Sequence, residues 1–295
     1  MVAKSAVRKR NTDHANASEV ITCPSCHNLI RRNFCEECGE KKLSTHDFSI
    51  RHFLEETFEG FTHFDNKFFR TAYYLIFKPG HLSIDFCAGR RVPYMKPFPM
   101  FIICNILFFL SIGEINIFAQ PLSSFYQYTP YTNFGTREII LSLVKSEAEF
   151  RTLAIEFNQR MGVEAKAFLA LFIPVLSFGS MAVFYRRRNY FTEHLVFSTH
   201  FFTFTIILDT VWSLFVVSPF YKWIRPGQFD STFDLISSFV HVSILGVYVY
   251  ISSRRFYNSG HIRSVVGSVV IALMFLIGLM AYRMILFYKI IYSLH

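Results

Sequence analysis

Cys23, Cys26, Cys35 and Cys38 stand in the stretch TCPSCHNLIRRNFCEECGE as two Cys-x-x-Cys pairs with eight residues between them. Each pair presents two thiolates from one turn, and two such turns offer an ion four soft ligands. Zn²⁺ takes tetrahedral Cys₄ coordination, and that closed shell leaves no position for a substrate. The spacing therefore implies one structural zinc ion in a small ribbon over residues 21–43. That segment has little to pack, with Leu29, Ile30 and Phe34 as its main apolar groups. Metal binding would supply most of its folding free energy. Pro24 and Gly39 suit the tight turns of the two knuckles. His27 replaces the glycine that often follows the first pair and is a weak alternative ligand. An iron site of the same geometry, a redox dithiol and disulfides are the competing readings. Disulfides need an oxidising compartment, and no partner motif for electron transfer accompanies the cysteines. Cys87 and Cys104 read as ordinary buried residues.

The other residues that could do chemistry lie in apolar surroundings. Glu193, His194, His200 and Asp209 fall at or within one apolar stretch, and Asp234 and His241 at or within the next. A charge at the middle of a membrane helix costs roughly 2.5–3.5 kcal/mol on insertion scales, so such groups tend to face a partner or a water cavity. Interhelical hydrogen bonding, an ion or proton path and a metal or catalytic site are the three readings. His194 and His200 are six residues apart, which at about 100° per residue places them on different faces of a helix. The i,i+4 His pair of a helical metal site is absent, as are Gly-x-Ser-x-Gly, Walker and dinucleotide signatures. The case for an enzyme is weak. Asp209 and His241 are expected at equal depth below one membrane boundary, which suggests that they pair; the alternative is that Asp209 faces the first or fifth span.

The elements that must position these groups are membrane helices. Residues 98–119, 167–185, 195–217, 233–251 and 265–282 are each mostly apolar, and about 20 such residues span a hydrocarbon core of roughly 30 Å. The expected fold is an all-α membrane protein of about five transmembrane helices in a domain over 98–295, with an outer segment at 120–166. Charge sets the expected orientation. Arg186, Arg187 and Arg188 follow the second span, and Arg254 and Arg255 follow the fourth. Both clusters belong on the cytosolic side if the N-terminus and the ribbon are also there and the C-terminus is outside. Arg283 and Lys289, at the outer end of the fifth span, fit less well. Within the outer segment, PLSSFYQYTPYTNFG reads as an extended loop and residues 136–160 as helical.

Residues 1–20 form a basic tail without the apolar core of a secretory signal. Residues 44–97 are a juxtamembrane region of amphipathic helices: one through HDFSIRHFLEETFEGF, a second over 66–77 ending before Pro79-Gly80, and a third over 82–88 ending near Gly89. These lie in the headgroup plane or pack on the membrane domain. Arg90, Arg91, Tyr94 and Lys96 precede the first span. They serve either as its positive-inside signal or as lipid-headgroup ligands, since Arg offers phosphate a planar fork and Tyr suits an interfacial belt. The ribbon gives nucleic acid poor footing: its net charge over 23–42 is about +1, and Phe34 is its one stacking face.

FCEECGE after CPSC, followed by KPGHLSIDFCAGRRVPYMKPFPMF, resembles an uncharacterised family of bacterial multipass membrane proteins with an N-terminal Cys₄ zinc ribbon. The matching positions are Pro79, Gly80, Gly89, Arg91, Tyr94 and Pro97, and EHLVFSTHFFTF is similar as well. The resemblance implies architecture and a zinc site, and carries no activity. The expected function is a non-enzymatic scaffold or interaction protein of the bacterial inner membrane, its ribbon docking a protein partner or its own membrane domain. The alternative is a transporter or lipid-handling protein that uses the polar groups of spans three and four.

Overall fold

The computed structural model of the chain describes residues 21–30, 33–42, 49, 67–111, 117–185, 190–224 and 231–294. The basic tail, the amphipathic helix expected from Phe48 to Phe61 and the Arg186, Arg187 and Arg188 cluster lie outside the described residues.

The Cys module begins with β1 (Ile21–Thr22) and β2 (Leu29–Ile30), paired antiparallel with Ile21 opposite Ile30. A single bridge joins Phe34 to Lys41. Helices α1 (Lys67–Phe77) and α2 (His81–Cys87) follow, turning at Gly80. α1 buries Thr71 and Leu75 on one side and exposes Phe69, Tyr73 and Phe77 on the other. Those three recur at i, i+4 and i+8, so they form one apolar stripe along the helix. α2 packs on the membrane helices through Leu82, Ser83 and Phe86.

α3 (Pro97–Ser111) is apolar but only 15 residues long, about 22 Å. Short helices α4 (Leu122–Gln127), α5 (Thr129–Thr132) and α6 (Thr136–Leu143) lead to α7 (Glu147–Ala167). The stretch expected as an extended loop is thus helical in two pieces. Phe125 of α4 stacks on Phe287 at 4.7 Å, and Tyr131 of α5 closes on Phe125 at 4.6 Å; local turn formers yield to that tertiary packing. A 3₁₀ turn at Leu169–Leu171 leads into α8 (Phe172–Val183), bent by 51° from the axis of α7.

Among the described residues, three helices are long and apolar enough to cross a membrane. The first is α9 (Phe191–Trp212), which continues through π-type turns at Ser213–Val217 and Phe220–Ile224. The others are α10 (Ser231–Tyr257) and α11 (His261–Ser293). A fourth is added if the bent pair of α7 and α8 is one span. The expected count of five is not confirmed among these residues. Hydropathy counts apolar residues whether or not they continue a helix. Over the run 98–119 the described helix covers Pro97–Ser111, and Phe118 meets Phe202 and Phe172. The run 167–185 is divided by the 3₁₀ turn.

α9 is the axis of the bundle, with α3 and α8 on its flanks and α11 packed on both α8 and α10. Phe202 is its aromatic hub, meeting Phe101, Phe118 and Phe172. The molecule has two ends. The Cys module, α1, α2, the start of α9 and the close of α10 share one end; α4–α7 and the last turns of α11 share the other.

Candidate metal centre and its docking loop

The two knuckles have the same backbone. In the first, His27 N–H donates to Cys23 O at 3.0 Å, and in the second Gly39 N–H donates to Cys35 O at 2.9 Å. The residue after each pair is left-handed, with φ of 64° at His27 and 74° at Gly39. His27 therefore fills the turn position that glycine fills in its counterpart. Its side chain is exposed and is not among the clustered ligands.

Cys23, Cys26, Cys35 and Cys38 bring their sulfurs within 4.8 Å of one another, and none is in a disulfide. Cys23 and Cys38 Sγ lie 3.5 Å apart, Cys26 and Cys35 Sγ 3.4 Å. A tetrahedron with Zn–S bonds of about 2.3 Å has edges near 3.8 Å, so the sulfurs need to open only slightly around an ion. The site can hold a metal. Among the described residues these four are the one group of three or more His, Cys, Asp or Glu side chains close enough to share an ion. The Cys38 backbone N–H, aimed at Cys35, lowers that thiol to about 7, whereas burial pushes Cys38 up to about 12. Crowded thiols resist joint ionisation, and a cation reverses that preference.

Directly after the second knuckle stands Glu40, buried to 2% exposure. Its backbone carbonyl accepts from Cys35 N–H at 2.8 Å, so it helps to close the knuckle. Its carboxylate Oε2 accepts from Ser25 Oγ, inside the first knuckle, at 2.5 Å. The same oxygen accepts from the backbone N–H groups of Arg91 and Val92, each at 3.0 Å. Arg90 Nε donates to Pro24 O at 2.9 Å, also in the first knuckle. The module is therefore seated on the loop between α2 and α3. Charge-assisted bonds of this kind are about twice as strong as neutral ones.

The loop is tied to the membrane helices in turn. Arg90 Nη1 lies 3.6 Å from Asp85 Oδ1, and His81 Nε2 lies 3.3 Å from Asp85 Oδ2. Arg91 donates from Nε to Phe86 O and sits 4.3 Å over the Phe86 ring. Tyr94 OH is 3.3 Å from His81 Nε2, and burial followed by the nearby Asp85 charge pushes the phenol up to about 12. Met95 N–H donates to Thr71 Oγ1 of α1. Arg90, Arg91 and Tyr94 thus have protein partners, and Lys96 has contacts of its own. Below them is a small recess of about 10 Å³, lined in part by Arg90, Arg91, Tyr94 and His200.

The intramembrane groups do not form one cluster. Glu193 accepts from Tyr190 N–H and caps α9. His194 Nδ1 is 2.9 Å from Tyr257 OH and 3.3 Å from Ser180 Oγ, joining α9 to α10 and α8. His200 Nδ1 meets Ser83 Oγ at 2.9 Å, which fixes α2 to α9. Asp209 lies against the backbone of Ile117, within the field of the Arg283 charge, while His241 sits edge-on to Trp212 at 5.9 Å. No hydrogen bond or ion pair joins Asp209 to His241, and Asp209 Oδ2 and His241 Nε2 find no hydrogen-bond partner among the described residues. The expected pairing is not made: His241 packs on Trp212, three residues beyond Asp209 on α9.

Arg283 is the residue whose role was hardest to anticipate. Its Nη1 donates to Tyr131 OH at 2.8 Å and its Nη2 to Ile117 O. It anchors the far-end segment to α11 instead of marking a misplaced boundary. Glu40, Ser83 and Asp85 also went unmarked in sequence, since each looks like an ordinary solvent-facing or capping residue there.

A family model described as "Protein of unknown function (DUF3667)" matches residues 65–109. The matched stretch holds α1, α2, the docking loop and most of α3, and stops short of the Cys module. No curated protein matches the chain. No solved structure matches it either.

Proposed function

We propose that the chain is a non-enzymatic scaffold of the bacterial inner membrane, multipass, with a single structural Zn²⁺ on the four cysteines. The module and N-terminus lie in the cytoplasm and the C-terminus outside. The observation that carries this reading is the seating of the module on the protein's own membrane domain, with Glu40 buried against the loop that enters α3. A closed Cys₄ shell stabilises a small surface without offering a reaction site. The positive clusters after the second apolar run and in the last turn of α10 support the orientation. The outward stripe Phe69, Tyr73 and Phe77 on α1 suits contact with the bilayer interface.

With one side of the module seated, the other side is left for a partner. Leu29 and Phe34 are each 56% exposed there, and a protein surface with a matching apolar pocket is the partner we propose. The test is affinity capture with full-length protein in native membranes. Leu29→Ser combined with Phe34→Ser should abolish a specific protein partner while zinc content stays at one per chain. Capture unchanged by that double substitution would refute the partner surface.

The unpartnered Asp209 Oδ2 and His241 Nε2 favour a second reading, a transporter or lipid-handling protein. Proton, metal or lipid movement in liposomes that Asp209→Asn abolishes would establish it over the first.

A further inference from the structure

The loop reads both knuckles at once. Pro24 and Ser25 lie between the first two cysteines, and Glu40 closes the second pair. Arg90 is bonded to Pro24 O, while Arg91 and Val92 donate to a carboxylate that Ser25 also holds. No single knuckle presents this surface. β1 and β2 are two residues each, and the module's buried apolar set is Cys23, Ile30 and Cys35. Such a core cannot hold the knuckles in register, so a shared ion must.

From these contacts we infer that metal occupancy is a latch on the docking loop. With the ion bound, Glu40 is held where it accepts from Arg91 and Val92, and Arg90 is divided between Pro24 and Asp85. Without it the knuckles part, Glu40 withdraws, and two loop N–H groups lose their acceptor. Arg90 then keeps its α2 partner, Asp85. The loop enters α3 directly at Pro97, and Ser83 of α2 is bonded to His200 of α9. The ion's presence is thereby felt at the base of the bundle. The cation class is a thiophilic divalent ion, with Zn²⁺ as the probe. The latch rests on the proposed metal site but goes beyond it, since a metal could stabilise the module with no effect on the loop.

Amide hydrogen exchange on the full-length protein in lipid nanodiscs tests this, followed on peptides covering residues 89–95, with zinc measured on each sample. Pro93 has no amide, which simplifies assignment to Arg91 and Val92. In the zinc-loaded protein these two amides should be protected. Chelation should speed their exchange by about tenfold or more, as expected for loss of a bond to a charged acceptor. Glu40→Ala should do the same while keeping one zinc per chain, and Glu40→Gln, which retains a carbonyl acceptor, should restore part of the protection. Zinc-loaded Glu40→Ala with wild-type protection would overturn the latch, as would chelated wild-type protein that stays protected. Wild-type protein that binds no zinc at all would overturn both the latch and the metal site. Bound zinc with an indifferent loop overturns the latch alone.

Discussion

The four cysteines were legible because their chemistry fixes their spacing: two turns that together offer four thiolates to one ion. Each single Cys→Ser change at 23, 26, 35 or 38 should lower zinc content in purified protein from one per chain, and full occupancy in any two of the four would refute the site. Glu40 was not legible. In sequence it is one of several acidic residues beside Gly39, and only the fold shows that its carboxylate is buried against backbone N–H groups. Gly80 lies between these cases. Pro79-Gly80 marks a turn in sequence, but its second constraint is tertiary: with φ of 82°, a Cβ there would stand 2.7 Å from Ser252 O. Gly135 has φ of 76° and open space around it, so it isolates the backbone effect. Gly80→Ala should cost about 1–3 kcal/mol more than Gly135→Ala, the range for overpacking, read as the difference in thermal midpoint in detergent. Equal effects would mean that α2 does not press on α10 at this point.

At the scale of elements, long apolar runs predict long helices well and their ends badly. α10 continues to Tyr257, past the expected 251, because Ser252, Ser253, Phe256 and Tyr257 are buried against α2, α9 and their neighbours. α11 continues to Ser293 because its last turns leave the apolar zone and support α4 and α7, through Phe287 on Phe125 and Lys289 on Glu164 at 2.7 Å. The Asp209 expectation also failed. His241 meets Trp212, three residues beyond Asp209 on α9 and on the same helix face, so the imidazole packs on the indole and not on the carboxylate. A double-mutant cycle between Asp209→Asn and Arg283→Met should give a coupling above about 0.5 kcal/mol, the limit for independent sites. The cycle between Asp209→Asn and His241→Gln should fall below it. The reverse ranking would show that the two helices turn other faces toward each other in the bilayer.

Across the whole molecule, the polar side chains at membrane depth act as joints between helices. His194 ties α9 to α8 and α10, His200 ties it to α2, and Thr199, Thr203 and Thr205 return their hydroxyls to carbonyls one turn back. In lipid, where apolar burial gives helices little reason to associate, such bonds and close packing carry the specificity. The result is a bundle whose two ends differ in chemistry. One carries the Cys module and its arginine loop. The other carries a helical cap fastened by Arg283, Tyr131 and the Phe125–Phe287 stack. Because α11 starts beside the close of α10 and ends within that cap, the module and the C-terminus belong to opposite ends. A reporter active only in the cytosol should therefore work when fused before the Cys module and fail when fused after Ser293. Activity at both positions would mean that α11 does not cross the bilayer. The cap, which is built on the last turns of α11, would then have to lie on the same side as the cysteines, and the contacts of Arg283 with Ile117 and Tyr131 would require α3 to turn back without crossing as well.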